Sequence, residues 1–158
     1  VPLDAEGSAY FHVIISAGSA SFSFQIVGGS WAVMQPRANL ESQGLHFLGA
    51  TTPVYFAVPA GIDSFHLSLT ATPPGETAVA TLYASDGREV AQYDCSVMPV
   101  DRKKIVVGEN DEGWWKIDIR EADTGVLDDV WLSLGDELPG WFSLDPTQAL
   151  SVTPVKKN

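Results

Sequence analysis

The chain has 158 residues, of which 45% are hydrophobic and 10% aromatic, a composition that excludes an intrinsically disordered protein. Its formal net charge of −11 at pH 7 argues against nucleic acid or an anionic membrane surface as a partner, because Lys and Arg are needed to bind both. No repeat, low-complexity tract or linker divides the sequence. Residues 1–158 are therefore predicted to form a single domain.

Alternation of apolar and polar residues predicts strands throughout the first half of the chain. Residues 9–16 and 20–28 are separated by the short segment AGSA and are predicted to form a hairpin. The clearest alternation is SFHLSLTA, in which every second residue is apolar. The remaining strands predicted in this half are 31–36, 44–50, 53–59 and 64–71.

Turn residues separate further strands in the second half. TPPGE is predicted to be a turn, and SDGREV contains an Asp-Gly pair typical of a hairpin turn. Helical periodicity is nearly absent, and the best helix candidates are 120–123 and 145–150. Strands are predicted at 77–84, 89–97, 104–108, 114–119 and 129–135. The fold class is therefore all-β: a two-sheet antiparallel β-sandwich of jelly-roll-like topology, with an immunoglobulin- or fibronectin-like sandwich as the alternative.

Acidic residues are concentrated between positions 109 and 136. Clustered carboxylates and turn carbonyls are natural Ca²⁺ ligands, so a structural Ca²⁺ is one interpretation of this region and a solvated surface is the other. The acids do not have the spacing of an EF-hand loop, and the sequence identifies no individual metal ligand. No other cofactor is predicted.

Motifs for catalysis are lacking. Cys95 is the only cysteine, which excludes an internal disulfide, and it is predicted to be a packed apolar side chain. His12, His46 and His66 occur singly, without a second ligand at metal spacing, and are predicted to be surface or interfacial residues. The sequence has neither a G-x-S-x-G elbow nor a phosphate-binding loop. The chain is predicted not to be an enzyme, and a small hydrolase is the remaining alternative. A glycoside hydrolase is compatible with the larger protein to which this chain would belong.

Two adjacent tryptophans in the segment WWKIDI must point to opposite sides of a strand. Trp115 has the same parity as Ile117, which predicts a core position. Trp114 has the parity of Lys116 and Asp118, which predicts an outward position. Two further tryptophans lie beside Gly and Pro turns and are predicted to cap the ends of the sandwich: Trp31 and Trp141.

Trp131 is also predicted to face outward, together with Asp129. If the strands 114–119 and 129–135 are neighbours, Trp114 and Trp131 share one outer face. The apolar face of a sugar ring stacks on tryptophan while nearby polar side chains hydrogen-bond its hydroxyls. The candidate sugar-binding residues are therefore Trp114, Trp131, Lys116, Asp118 and Asp129, and packing against another domain is the alternative role for the tryptophans.

Four phrases resemble the non-catalytic jelly-roll domains attached to secreted bacterial polysaccharide-degrading enzymes. They are VYFAVPAGIDSFHLSL at 54–69, ETAVATLYASDGREVA at 76–91, WWKIDI at 114–119 and LPGWFSLDPTQAL at 138–150. In chain order, these phrases are an aromatic-x-V-P-x-G motif that leads into a strand, a strand that ends at an Asp-Gly turn, a strand that contains tryptophan, and a segment near the C-terminal end. The resemblance implies a galactose-binding-like sandwich, often with a structural Ca²⁺, that binds sugar or docks on a neighbouring domain.

The expected function is that of a non-catalytic carbohydrate-binding or accessory module of an extracellular glycan-processing enzyme. Its partners would be a polysaccharide or oligosaccharide and a catalytic domain of the same chain, in an extracellular or periplasmic location. The sequence begins VPLDAEG rather than with Met, which is typical of a mature form or of a piece excised from a larger protein. The alternative is a structural interaction domain that packs on a catalytic domain or self-associates without a glycan ligand.

Overall fold

A computed structural model describes residues 13–15, 25–35, 44–49 and 51–150 of the chain. Within these ranges the chain forms ten strands and one short 3₁₀ helix, Pro146–Gln148. The strands are β1 (Val33–Met34), β2 (Leu45–Phe47), β3 (Val54–Val58), β4 (Ser64–Thr70), β5 (Val79–Tyr83), β6 (Glu89–Asp94), β7 (Val100–Val106), β8 (Gly113–Arg120), β9 (Val130–Leu134) and β10 (Trp141–Phe142).

Eight strands form two antiparallel sheets of four, in the orders β2-β9-β4-β7 and β3-β8-β5-β6. The pairings are nested: β5 pairs with β6, β4 with β7, β3 with β8, β2 with β9 and β1 with β10. A chain that runs as one long hairpin wrapped over two sheets is a jelly roll. The predicted all-β sandwich is confirmed, and its strand order is the jelly-roll form rather than the immunoglobulin-like one.

The core lies between the inner sides of the two sheets. Trp115 of β8 is fully buried, as predicted, and meets Phe65 of β4 edge-to-face with 5.3 Å between the ring centres. Phe56 of β3 packs against both rings. The indole Nε1 of Trp115 donates a 2.6 Å hydrogen bond to the carbonyl oxygen of Asp111, so this buried polar atom is satisfied.

The strands β1 and β10 form a two-stranded ribbon that is joined to both sheets. The buried amide of Gln35 replaces a strand partner for Leu134 of β9, because it accepts from the backbone N–H at 2.8 Å and donates to the carbonyl at 3.0 Å. Tyr55 of β3 and Ser143 form an antiparallel bridge on the other side. The ribbon is thereby fixed by hydrogen bonds to β9 of one sheet and to the edge strand β3 of the other.

The predicted hairpin turn at 85–90 is confirmed and joins β5 to β6. Gly87 has a φ of 85°, a left-handed conformation that glycine adopts without steric cost. The carboxylate of Asp86 accepts a hydrogen bond from the backbone N–H of Arg88 at 2.9 Å. This local bond explains why Asp precedes Gly in the turn.

The helix predicted at 120–123 is wrong, because β8 continues to Arg120 and irregular and bend residues follow it. The candidate at 145–150 contains the 3₁₀ helix. Asp145 caps this helix by accepting a hydrogen bond from the backbone N–H of Thr147 at 2.8 Å. None of the helical segments in the described ranges has the length and apolarity needed to cross a bilayer.

The N-terminal hairpin predicted from 9–16 and 20–28 lies mostly outside the described residues. The described parts, 13–15 and 25–28, are not in strands. Later predicted strands are present with shifted ends, and β7 begins earlier than predicted, at Val100. The alternation of apolar and polar residues correctly identified the later strands. The ends of these strands depend on pairing partners that are distant in sequence.

Candidate functional site

The predicted site residues lie on strands that belong to different sheets. Along β8 lie Trp114, Lys116 and Asp118, whereas Trp131 lies on β9 and Asp129 directly precedes that strand. The two strands lie in opposite sheets, so their outward sides point away from each other. The hypothesis that Trp114 and Trp131 share one outer face is therefore wrong. It requires neighbouring strands, but the jelly roll places these two strands in opposite sheets.

The outer side of the sheet β3-β8-β5-β6 carries a row of three long side chains. Lys116 of β8 is in register with Tyr55 of β3 on one side and with Tyr83 of β5 on the other. The ammonium of Lys116 lies 4.4 Å from the centre of the Tyr83 ring, a cation–π contact. Trp114 and Asp118 lie on the same side of β8, before and after Lys116. We call these five residues the Lys116 face.

An ion pair lies within this face. Lys116 Nζ is 2.8 Å from Asp118 Oδ2, and the two side chains are partly exposed. Hydrogen bonding to Asp118 raises the pKa of Lys116, with smaller contributions from Tyr83 and Tyr55. The pair carries no net charge, yet it presents both hydrogen-bond donors and acceptors beside aromatic rings. Such a surface suits an uncharged ligand that is rich in hydroxyl groups.

Trp114 has a small neighbour on the adjacent strand. Its register partner on β3 is Ala57, whose methyl group can cover little of an indole, and Trp114 is only partly buried. The next residue, Trp115, is in register with Phe56 and is fully buried. The predicted alternation of the two tryptophans is thus confirmed, with one in the core and one on the Lys116 face.

Sequence reasoning did not select Tyr55 or Tyr83 for the site. A signal for both existed, because each alternates with buried neighbours in its strand, as Tyr55 does with Val54 and Phe56. That alternation predicts an outward ring. It does not predict that β3 and β5 flank β8, because the pairing of distant segments is not contained in a period of two.

A second aromatic cluster lies on the outer side of the other sheet, β2-β9-β4-β7, which we call the Trp131 face after its central residue. Trp131 is in register with His46 of β2 and Thr70 of β4. The imidazole of His46 stacks on the indole, with 4.4 Å between ring centres and 3° between the planes. His46 Nε2 is hydrogen-bonded to Asp129 Oδ1 at 2.9 Å, which holds the imidazole in place. The sequence predicts His46 only as a surface residue, and its contact with Trp131 depends on strand pairing.

The acidic segment before β8 is a turn held by protein contacts. The carboxylate of Asp111 accepts hydrogen bonds from Arg88 Nη2 at 2.8 and 3.0 Å and from the N–H of Gly108 at 3.1 Å. A surface pocket of about 200 Å³ lies beside it, lined by 59–63, 107–110 and Glu112, and contains none of the predicted site residues. In the part of the chain that the structure describes, no group of three or more His, Cys, Asp or Glu is placed to hold a metal ion.

Other candidates from the sequence have structural roles. Cys95 is buried, its Sγ donates to the carbonyl of Leu69 at 3.3 Å, and burial raises the pKa of the thiol. This confirms the prediction of a packed side chain. Trp31 Nε1 donates to Gln148 Oε1 at 2.8 Å, which connects the residues before β1 to the 3₁₀ helix. Trp141 lies on β10 in the same ribbon, next to the edge strand β3 of the sheet that contains β8.

Comparison of the chain with models of known protein families, with curated proteins and with solved structures found no match. The resemblance to jelly-roll modules of polysaccharide-degrading enzymes therefore stays a prediction from short sequence phrases. The jelly-roll architecture itself is established by the strand order. Because one fold can serve many functions, the functional conclusion must come from the side chains on the two outer faces.

Proposed function

We propose that this domain is a non-catalytic carbohydrate-binding module that binds an uncharged polysaccharide or oligosaccharide on the Lys116 face. The observation that supports the proposal most is the row of Tyr55, Lys116 and Tyr83 across three adjacent strands, with Trp114 beside it. Aromatic rings stack with the apolar C–H faces of sugar rings, and few other soluble ligands combine such faces with many hydroxyl groups.

The ion pair supplies the polar part of the proposed binding. Neighbouring sugar hydroxyls each donate and accept, so one accepts from the ammonium of Lys116 and another donates to the carboxylate of Asp118. Hydrogen bonds to charged groups are stronger than those between neutral groups. Since the pair has no net charge, it adds no electrostatic attraction for an ionic sugar. A neutral glycan is therefore the preferred ligand.

In this proposal the domain holds a bacterial glycan-processing enzyme on its polymeric substrate, in the extracellular space or the periplasm. The partner within the same chain is a catalytic domain, which the family resemblance implies. A structural Ca²⁺ is a separate proposal that rests on the same resemblance, and the binding described above does not involve it. A rise in the unfolding temperature on adding Ca²⁺, reversed by EDTA, is the expected result for such a site.

Titration calorimetry or affinity electrophoresis with a panel of neutral polysaccharides tests the glycan proposal. Trp114→Ala is expected to weaken binding about tenfold, or about 1.4 kcal/mol, because it removes a stacking surface. Tyr55→Ala should weaken binding similarly, whereas the matched control Tyr55→Phe keeps the ring and retains most of the affinity. Affinity that is unchanged in Trp114→Ala and Tyr55→Ala, with thermal unfolding confirming that both variants fold, contradicts the proposal.

A second candidate function is the interaction domain predicted as an alternative. The observation in its favour is an exposed apolar tip between β6 and β7, where Val97 is 79% and Met98 is 65% exposed. Val100 and Val106 are also exposed on β7, an edge strand. Exposed apolar clusters commonly mark contact surfaces. Size-exclusion chromatography over a range of concentrations should detect self-association, and Met98→Ser should reduce it, while a monomer at all concentrations argues against self-association.

A further inference from the structure

Two cations on the outer side of β7 have no ion-pair partner among the residues that the structure describes. Arg102 and Lys104 are exposed, and neither has a carboxylate within ion-pair distance in that part of the chain. Lys103, between them, lies on the other side of the strand and is paired with Asp101 at 2.8 Å. Two adjacent cations that lack an ion-pair partner in the described residues can contact an anion directly, even in a chain with a net charge of −11.

The side chains next to these cations carry hydroxyl and imidazole groups. Arg102 is in register with Ser68 of β4, and Lys104 is in register with His66. Ser68 is in turn in register with Ser133 of β9. The side chains in register with the two cations on β4 are therefore polar, as is the next one on β9.

Two carboxylates on this side of the sheet are hydrogen-bonded to histidines. Asp129 Oδ1 is 2.9 Å from His46 Nε2, and Glu137 Oε1 is 2.7 Å from His66 Nδ1. Hydrogen bonding from His66 lowers the pKa of Glu137, so this acid is held in its charged form beside the imidazole. Because each acid bonds to a histidine rather than to a cation of β7, the guanidinium of Arg102 and the ammonium of Lys104 keep their hydrogen-bond donors available for a ligand.

Trp131 lies two strands away from the cations. The row that contains Trp131 and Thr70 adjoins the row that contains Ser68 and Arg102. Neighbouring strands are about 4.8 Å apart, so β9 and β7 are separated by about 10 Å. This distance is longer than one sugar ring. A ligand that contacts both ends must offer an apolar ring face at one end and an anionic group further along the same chain.

We propose that the Trp131 face binds an acidic polysaccharide, in which the side of the Trp131 indole opposite His46 stacks with one ring and Arg102 and Lys104 bind a carboxylate or sulfate group on a neighbouring ring. The planar guanidinium of Arg102 matches such groups with two parallel hydrogen bonds, and Lys104 adds a point charge. This site lies on the opposite side of the sandwich from the Lys116 face. It goes beyond the proposed function and does not rest on it.

The charge of the protein favours an acidic glycan over nucleic acid. Each nucleic-acid strand carries a charge about every 3.4 Å and needs many cations to neutralise it, whereas this face offers the two on β7. The net charge of −11 repels so dense a polyanion. An acidic polysaccharide carries about one charge per ring and also presents the apolar ring faces that Trp131 requires.

Polygalacturonate and its methyl ester form a suitable pair of probes, because they share a backbone and differ in charge. Calorimetry is expected to show about tenfold tighter binding of polygalacturonate, with affinity falling as NaCl is raised. Arg102→Gln combined with Lys104→Gln is expected to weaken binding about tenfold. The matched control is Arg120→Gln, which removes an exposed cation at the end of β8 on the opposite sheet and should leave the affinity unchanged.

Dextran sulfate, compared with dextran, distinguishes the two kinds of anionic group. Binding of polygalacturonate, dextran sulfate or both, with loss in the double variant, supports the site and identifies the group. Binding of neither charged polymer overturns the proposal, as does equal affinity for the methyl ester. Equal affinity for polyglutamate or single-stranded DNA at the same salt also overturns it, because sugar rings are then not recognised.

Two further measurements separate this proposal from the others. A dimer that dissociates in the double variant, without glycan binding, overturns it and assigns the face to contact with a second copy. Trp114→Ala is expected to weaken neutral-glycan binding and leave polygalacturonate binding unchanged, while Trp131→Ala has the opposite effect. Failure at one face is therefore visible without failure at the other.

Discussion

The Lys116 face and the Trp131 face contain the same kinds of side chain but present different charge to a ligand. Each has an outward tryptophan, a nearby cation and a nearby acid. On the first face Lys116 is bound by Asp118 at 2.8 Å, two residues along the same strand. On the second face the acids bind histidines, and Arg102 is left without an acidic partner in the described part of the chain. The position of the carboxylates, rather than the number of charges, distinguishes a face whose cation is paired from a face whose cations are available to a ligand.

The jelly roll explains why the two faces are independent. Strands β8 and β9 follow each other in the chain yet lie in opposite sheets, so their outward residues cannot contact the same sugar ring. A domain with one site on each side can bind two polymer chains, or two kinds of chain in a mixed polysaccharide. Two weak sites on one rigid body raise the overall affinity for such a material because the second contact is intramolecular.

The largest expected effect is the loss of stability on removing the core residue Trp115. Its comparison with the loss on removing Trp114 tests whether Trp114 lies at the surface, as the Lys116 face requires. Trp115→Ala should lower the free energy of unfolding by about 3–5 kcal/mol, because it leaves a cavity beside Phe56 and Phe65. Trp114→Ala should cost no more than about 1 kcal/mol. Urea unfolding of the two variants gives both numbers. Equal losses would show that Trp114 is a packing residue, and the comparison of the two faces would then fail.

The next effect concerns the stacked pair of His46 and Trp131 on the Trp131 face. His46→Ala removes the imidazole stacked on Trp131 and should lower the free energy of unfolding by about 0.5–1.5 kcal/mol. His46→Phe is the matched control, since it keeps a flat ring but loses the hydrogen bond to Asp129. A stability unchanged in His46→Ala would mean that the stack is a surface contact without energetic weight, and the two faces would be more alike than proposed.

A smaller effect is expected from a substitution that leaves the cation of the Lys116 face unpaired, as the cations of β7 are on the Trp131 face. Asp118→Asn releases Lys116 from its ion pair, so the Lys116 face should gain about 2- to 5-fold in affinity for polygalacturonate. Asp118→Asn combined with Lys116→Gln restores neutrality and should abolish the gain. If the single variant gains nothing, pairing of the cation is not what distinguishes the two faces, and the unpaired cations of β7 are then not expected to bind an anionic group.

Alternation along single strands could be predicted from the sequence because it is a local property. The parity of WWKIDI predicted a buried Trp115 and an outward Trp114, and the structure has both. The same reasoning predicted an all-β sandwich, because short alternating segments separated by turns leave few other folds. A side chain's direction depends only on its neighbours in the strand.

The assembly of the faces could not be predicted, because it depends on which distant strands pair. His46 contacts Trp131 across many intervening residues, and Tyr55 and Tyr83 meet Lys116 from two other parts of the chain. No local pattern specifies such pairings, since nested jelly-roll strands and consecutive hairpins have the same period. For this reason the sequence placed Trp114 and Trp131 together, while the fold separates them.

The smallest expected effect is the pH dependence of the hydrogen bond between His66 and Glu137 on the Trp131 face. Hydrogen bonding from His66 lowers the pKa of Glu137 below its usual value in the unfolded chain. The folded state therefore favours the charged carboxylate, so the stabilisation is present above the unfolded pKa and is lost as the pH falls through the folded pKa. The pair is partly exposed, which limits its contribution to less than about 1 kcal/mol. Urea unfolding of the wild type and of Glu137→Gln is measured from pH 7 to pH 3, and the difference in stability should shrink as the pH falls. A difference that stays constant would show that Glu137 is not bound by His66 and remains able to neutralise the cations of β7.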